Sequence, residues 1–215
     1  MNKATHNFLE NLKRRKDVLG VIMFGSQARG NSRPDSDVDL VVILNEGFRR
    51  AIEYYDGQDF EIIYTTAEGA LAYWESHIDD AAGLWAVAEV LYDKDETIAK
   101  LKNEIQQVLD KGKKPIDKYQ LGQFRFDAED TLKYVEYIAD ADPTTANLVL
   151  TNKVFTLTEL FFDIRQLWIP APKQRMEKIK EISPDLYTLL TGFYANKPLE
   201  ERLEMAKRIV PLVFE

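Results

Sequence analysis

The chain has 215 residues, enough for one large domain or two small ones, and its 45% hydrophobic and 30% charged residues exclude a disordered protein. The net charge of −8 argues against a broad nucleic-acid-binding surface, which needs a basic face, and suits a cationic partner. The absence of cysteine excludes disulfides, thiolate catalysis and cysteine-based zinc sites.

The N-terminal stretch predicts a helix rather than a targeting segment. Residues 4 to 16 have amphipathic spacing, with Phe8, Leu9 and Leu12 on the apolar side. They lack the apolar core of a signal peptide, and no apolar run in the chain approaches the length of a membrane span. We therefore expect a cytoplasmic protein that makes no membrane contact.

Residues 21 to 43 contain two apolar strands joined by a polar loop. The first strand ends at Gly25 and Ser26, and the second opens with Asp37 and Asp39. Because side chains alternate along a strand, both carboxylates point to the same face. Paired carboxylates suit magnesium, and glycine before a helix start lets a phosphate approach the backbone. The stretch therefore predicts a site for phosphoryl or nucleotidyl transfer.

The next stretch supplies a third acidic candidate. Residues 46 to 55 favour a helix, and residues 59 to 65 favour a third strand that contains Glu61. If this strand pairs beside the second, Glu61 joins the face of the first two carboxylates. Asp59 lies on the same face and competes for the role. We favour Glu61 because it lies inside the apolar run, where a charge is costly without a partner or a function.

The rest of the first half predicts three further elements. A helix capped by Thr66 ends near His77, which we interpret as a helix-terminal residue rather than a catalytic base. The apolar residues 83 to 91 fit either a strand or a buried helix. Residues 94 to 111 carry the apolar stripe of a charged helix. Glycine and proline within residues 112 to 115 then mark the best domain boundary.

The predicted fold class is α+β. A mixed β-sheet domain with flanking helices occupies residues 1 to 112, and an all-α helical bundle occupies residues 113 to 215. In the helix predicted at residues 117 to 139, Asp127 and Tyr134 belong to an acidic and aromatic stripe. That stripe suits a cationic acceptor, although a solvated helix face is the plainer interpretation.

The motif Gly25-Ser26, a polar loop and Asp37-x-Asp39 resembles the signature of the DNA polymerase β-like nucleotidyltransferase superfamily. The sequence GSQARG…SDVDL is similar to small bacterial and archaeal members, including antibiotic nucleotidyltransferases of the aminoglycoside, lincosamide and kanamycin types, which carry a helical C-terminal domain. The resemblance implies magnesium-dependent transfer of a nucleoside monophosphate from a nucleoside triphosphate, with ATP expected. The implied acceptor is a small-molecule hydroxyl, on an aminoglycoside-like antibiotic if the likeness extends that far.

The resemblance also implies roles for individual residues. Asp37, Asp39 and Glu61 are the expected catalytic residues and magnesium ligands, and Glu61 either completes the metal site or takes the proton from the acceptor. The candidates for contact with the nucleotide are Gly25, Ser26, Arg29, Ser36 and Lys153. For Lys153, a role as an ordinary surface lysine remains equally open.

Two alternative functions remain open from the sequence. The acceptor is a protein hydroxyl in one of them, as in toxin–antitoxin enzymes that adenylylate a partner. In the other, the chain is a non-catalytic nucleotide-binding or interaction module. The net charge disfavours a nucleic-acid acceptor. A homodimer is consistent with the resemblance, because some relatives build the substrate cleft from two subunits.

Overall fold

The computed structural model describes residues 2 to 215, which divide into two structural units. The first unit ends at Lys111, and the second comprises Gly112–Glu215. In the first unit, the strands span Val18–Phe24 (β1), Val38–Leu44 (β2), Arg49–Tyr55 (β3), Gln58–Thr66 (β4) and Glu89–Asp93 (β5). Its helices span Lys3–Lys13 (α1), Gly25–Arg29 (α2), Ala67–Ser76 (α3), Ile78–Trp85 (α4) and Thr97–Leu109 (α5).

The five strands form one mixed sheet in the order β3-β4-β2-β1-β5. Strand β2 runs parallel to β4, whereas β1 is antiparallel to both β2 and β5, and β3 is antiparallel to β4. The C-terminal end of β1 therefore lies beside the N-terminal end of β2. This arrangement brings the small-residue turn after β1 and the acidic start of β2 to the same end of the sheet.

Apolar cores cover both faces of this sheet, which is why its central strands are apolar on both sides. On one face, Phe8 of α1 stacks on Phe60 of β4 with ring centroids 4.2 Å apart. On the other, Trp74 of α3 meets Trp85 of α4 edge to face at 5.2 Å. Burying one such large apolar side chain stabilises the fold by about 1.5–3 kcal/mol. The packing fixes the strands that carry the polar ends described below.

The prediction of a helix over residues 46 to 55 is wrong. Arg49–Tyr55 is an edge strand that forms a hairpin with β4. Asp56 and Gly57 connect the two strands with φ angles of 50° and 81°. Two consecutive positive φ angles match the two-residue turn that Asp-Gly favours between antiparallel strands. The alternation of exposed and half-buried residues along β3 has the strand period of two.

The ambiguous residues 83 to 91 contain parts of two elements. Helix α4 ends at Trp85, and β5 begins at Glu89 and pairs with β1 at the other edge of the sheet. A strand and a buried helix are therefore both present in this segment. Periodicity alone did not separate them, because each piece is short.

The second unit is a helical bundle, and the predicted α+β fold class is confirmed. Its helices span Lys118–Ile138 (α6), Pro143–Ile164 (α7), Pro172–Ile182 (α8), Pro184–Tyr194 (α9) and Leu199–Phe214 (α10). Asp117 forms a capping box with Gln120 at the start of α6, and Asp142 caps α7 by accepting a hydrogen bond from Thr145 N. These caps satisfy backbone N–H groups that have no partner within the helix.

Arg202 connects three helices of the bundle by hydrogen bonds. Its guanidinium donates hydrogen bonds to Oδ1 of Asn147 and Oγ1 of Thr151, both at 2.7 Å, and to the carbonyl of Phe193 at 3.1 Å. α10 is thereby held against α7 and α9. Among the helices of residues 2 to 215, none combines the length and the apolar character that crossing a membrane requires.

Candidate active site

Three carboxylates lie together at one end of the sheet. Asp37 directly precedes β2, and Asp39 is the second residue of that strand. In the parallel pairing of β2 with β4, Asp39 lies opposite Glu61. One oxygen from each of the three side chains lies within 4.8 Å of the others. The structure therefore brings together the three acidic residues that the sequence analysis selected, and Asp59 lies on the same face opposite Tyr54.

Gly25 provides the space that the carboxylate of Asp39 occupies. In the β1–β2 ladder, Phe24 pairs with Asp39, so Gly25 lies just past that pair. A Cβ atom at Gly25 would lie 2.7 Å from Cγ of Asp39 and closer still to Oδ2. Gly25 also has a φ of +72°, which residues with a side chain rarely adopt. Gly25 is predicted from the sequence as a point of phosphate approach, whereas its contact with Asp39 becomes visible only in the structure.

The three carboxylates fit a magnesium ion. Magnesium binds oxygen ligands at about 2.1 Å, so two ligands on opposite sides of the ion lie about 4.2 Å apart. The oxygens of the three carboxylates lie within 4.8 Å of one another, which is close to that distance. Carboxylate oxygens are also the hard donors that this ion prefers.

The predicted phosphate-binding residues Ser26, Arg29 and Ser36 lie on the two connections next to this cluster. Ser26 is in the first turn of α2, which follows β1 directly, and Arg29 is the last residue of that helix. Ser36 precedes Asp37, and its Oγ accepts a hydrogen bond from the backbone N–H of Arg33 at 2.9 Å. Both connections meet at the end of the sheet that carries the carboxylates.

Lys153 belongs to the helical unit rather than to the sheet. It lies on α7, where its Nζ forms an ion pair with Asp127 of α6. The side chain of Lys153 is only 18% exposed, so this pair joins two packed helices. The ion pair is a structural contact between two helices of the bundle. It includes Asp127, which the sequence suggested as a contact for a cationic acceptor.

Arg50 contacts the carboxylate cluster and is not predictable from the motif alone. Its Nη2 donates a hydrogen bond to Oε1 of Glu61 at 2.7 Å. The two residues lie on neighbouring strands, β3 and β4, and this contact requires the hairpin that the analysis replaced with a helix. The Asp56-Gly57 pair, followed by an alternating strand, is the signal that would have predicted it.

His77 and Tyr73 form a small cluster on the helices that cover this face of the sheet. His77 follows α3, and its ring stacks on Tyr73 with centroids 4.3 Å apart, so it is a helix-terminal residue as predicted. The hydroxyl of Tyr73 donates to Oδ2 of Asp80 at 3.2 Å. Burial raises the pKa of Tyr73, the negative Asp80 raises it further, and the positive Arg50 acts in the opposite direction. Tyr73 is therefore a neutral donor near neutral pH.

Comparison with known proteins identifies a family and similar solved structures. The family model for the nucleotidyltransferase domain matches residues 6–138 of this chain. A crystal structure of a nucleotidyltransferase-like protein from Exiguobacterium sibiricum is similar, with a TM-score of 0.52 and 13% sequence identity. The similarity covers 99% of this chain and 73% of the other, and it concerns the fold alone. No match to a curated protein sequence was found.

Proposed function

Because the chain belongs to the nucleotidyltransferase domain family and is therefore a nucleotidyltransferase, we propose that it transfers a nucleoside monophosphate from ATP to a hydroxyl of a small molecule. We propose magnesium as the metal of this reaction. The observation that carries the proposal is the group of Asp37, Asp39 and Glu61, whose oxygens lie within 4.8 Å of one another beside Gly25. Three negative charges this close together repel one another, and a bound cation would offset that repulsion.

Five residues have individual roles in the proposed reaction. Asp37, Asp39 and Glu61 would hold magnesium, which when bound stabilises the charge on the entering and leaving oxygens. Gly25 and Ser26 would receive the triphosphate, because their backbone N–H groups open α2 and Ser26 also offers a hydroxyl donor. Asp39 and Gly25 act together, since the glycine sets where the carboxylate can lie.

The reaction forms one bond and breaks one. The acceptor oxygen attacks the α-phosphorus, and the bond from that phosphorus to the bridging oxygen breaks, so that pyrophosphate leaves. Glu61 lies beyond Asp39 when the sheet is followed from β1 to β3. It would either complete the metal site or take the proton of the acceptor hydroxyl. We propose a cationic acceptor of the aminoglycoside kind, because both the site and the whole chain are negatively charged.

A thermal-shift and pyrophosphate-release screen tests this proposal. The protein is combined with magnesium and each of the four nucleoside triphosphates, against a panel of aminoglycosides and lincosamides. We expect ATP with magnesium to raise the melting temperature by mass action and at least one compound to release pyrophosphate. Stabilisation by nucleotide without release from any compound would instead indicate a protein hydroxyl as the acceptor.

Removing one carboxylate charge tests the site directly. We expect Asp37→Asn and Asp39→Asn each to lower pyrophosphate release by at least a hundredfold, because an amide is a poorer magnesium ligand, while the circular dichroism spectrum is unchanged. Asp59→Asn is the matched control, since Asp59 is an exposed carboxylate on the same face. Full turnover in either of the first two variants would contradict the assignment.

A further inference from the structure

Strand β3 presents two large apolar side chains to solvent on the face that carries the carboxylates. In the antiparallel ladder, Ile52 lies directly opposite Glu61, and Tyr54 lies directly opposite Asp59. Residues that are directly opposite share a face of the sheet, with Cβ atoms about 4.5–5.5 Å apart. Ile52 is 81% exposed and Tyr54 is 74% exposed.

The exposure of these two residues is not the result of a loosely attached strand. The opposite face of β3 is packed: Ala51 and Tyr55 contact the core beneath α1, and the ring of Tyr55 meets Phe8 at 5.6 Å. All seven residues of β3 pair with β4. β3 is therefore a fixed part of the sheet that leaves one apolar surface uncovered beside the charged cluster.

The position of Glu61 determines what reaches this surface. Asp39 lies on the β2 side of Glu61, and Ile52 lies on its β3 side. The proposed function places the triphosphate at Gly25, on the far side of Asp39 from Glu61. An acceptor whose hydroxyl lies at Glu61 therefore has room over β3 that the triphosphate does not use. Arg50, which lies on β3 with Ile52, donates a hydrogen bond to Oε1 of Glu61 and so fixes the position of that carboxylate beside β3.

We propose that Ile52 and Tyr54 form the acceptor-binding surface, and that the acceptor is a small molecule whose reacting hydroxyl is carried by or beside a ring. An apolar side chain and an aromatic ring bind flat surfaces of C–H groups or aromatic carbon, and stacking on a tyrosine is a common form of this contact. The inference rests on the proposed function, and it assigns acceptor specificity to residues that are not metal ligands.

Binding is tested by NMR on protein that carries labelled isoleucine δ-methyl groups, with magnesium and a non-hydrolysable ATP analogue. The probes are kanamycin A, lincomycin and phenyl β-D-glucopyranoside as ring compounds, and glycerol as a hydroxyl compound without a ring. The Ile52 signal is assigned by its loss in Ile52→Ala. We expect a ring compound to shift this signal in a saturable way, and glycerol to leave it unchanged.

Variants separate the surface from general effects of substitution. By isothermal titration calorimetry, which does not depend on the Ile52 signal, we expect Tyr54→Ala and Ile52→Ala each to weaken binding of that ring compound by about tenfold, and Tyr54→Phe to retain it because the ring remains. Val90→Ala is the matched control, since Val90 is an exposed apolar residue, 45% exposed, on the other edge strand. Stabilisation by ATP with magnesium should be the same in all four variants, because none of them removes a carboxylate.

The outcomes distinguish this inference from its premise. Unchanged affinity in Tyr54→Ala and Ile52→Ala overturns the inference and leaves the proposed function intact. If ATP with magnesium stabilises the protein but none of the ring compounds shifts the Ile52 signal, the inference is also overturned, and a protein acceptor is indicated. If ATP with magnesium does not stabilise the protein, the proposed function fails and the inference fails with it.

Discussion

At the residue scale, the site requires glycine at position 25 as much as it requires the carboxylates. The carboxylate of Asp39 lies where the Cβ atom of any other residue at position 25 would be. Gly30 has the same φ of +72° as Gly25, and a Cβ there would meet nothing within 4 Å. Substitutions at the two glycines therefore separate the free energy of the strained backbone from the effect of displacing a carboxylate.

We expect Gly25→Ala to lower the rate of pyrophosphate release by at least tenfold, because the new methyl group forces Asp39 away from its place among the metal ligands. Gly30→Ala shares the backbone strain, about 1–3 kcal/mol, and should keep its activity. The measurements are steady-state kinetics and chemical denaturation of both variants. Equal activity in the two variants would show that the contact between Gly25 and Asp39 has no part in the reaction.

The sequence predicted which carboxylates the structure brings together better than it predicted their neighbours. Asp37 and Asp39 follow from the period of a strand, and Glu61 from a charge inside an apolar run. The contact of Gly25 with Asp39 joins residues that are distant along the chain, and local patterns do not report such packing. Arg50 was missed for a different reason. Residues 46 to 55 were predicted as a helix, and a helix would not align Arg50 with Glu61 on a neighbouring strand.

At the element scale, the β3–β4 hairpin determines whether Arg50, Ile52 and Tyr54 reach the site at all. The turn of Asp56 and Gly57 sets the register that places Ile52 opposite Glu61. A helix here, as the sequence analysis expected, would have removed the strand beside Glu61. The turn is therefore a structural requirement of the candidate acceptor surface.

We expect Gly57→Ala to destabilise the sheet unit by about 1 kcal/mol, because its φ of 81° disfavours any side chain. Gly83→Ala offers the opposite sign: Gly83 is inside α4, a Cβ there meets nothing within 4 Å, and alanine favours a helix by about 1 kcal/mol. Urea denaturation of both variants measures the difference. A stabilised Gly57→Ala protein would contradict the turn geometry.

The cap of α7 gives an expected dependence of stability on pH. Hydrogen bonds from Thr145 hold the pKa of Asp142 below its ordinary value, so the folded state binds this proton at lower pH than the unfolded state does. The stabilisation is present above the unfolded pKa and is lost as pH falls through the folded pKa. Asp142→Asn keeps a capping side chain that does not titrate.

We therefore expect the stability of Asp142→Asn to fall less than that of the original protein between about pH 6 and pH 3. Urea denaturation followed by circular dichroism at several pH values provides the measurement. Asp140→Asn, a change at an exposed residue shortly before the cap, is the control and should follow the original protein. Parallel curves for Asp142→Asn and the original protein would refute the role of the cap.

At the scale of the whole molecule, each structural unit has its own buried core. Within the helical unit, all five helices contribute apolar residues to one buried core. This core includes Leu150, Phe161, Phe193 and Ile209. The sheet unit has separate cores on the two faces of its sheet. A unit with its own core has the means to fold by itself.

We expect a protein made of residues 112 to 215 to be helical and to unfold cooperatively, because its core and the Arg202 contacts lie entirely within it. Circular dichroism and scanning calorimetry of this fragment, beside the full chain, provide the measurement. Arg202→Met in the fragment should lower its melting temperature by removing the bonds to Asn147 and Thr151. A fragment without a cooperative transition would show that the two units fold as one.

Much of this larger organisation was predictable from the sequence. The helical second half follows from long amphipathic runs between proline and glycine. The order of the strands was not predictable, because β4 joins β2 across the β3 hairpin and that choice depends on packing on both faces of the sheet.

The contact between Gly25 and Asp39 also sets the order in which this site can be lost and regained in evolution. A descendant that replaces Asp39 with a smaller residue has no further need of glycine at position 25, and a larger residue can become fixed there. From that point, restoring Asp39 alone would create a clash instead of a ligand. The glycine would have to return first, so we expect a relative with a side chain at the position of Gly25 to lack transfer activity, and single substitutions would not easily reverse that loss.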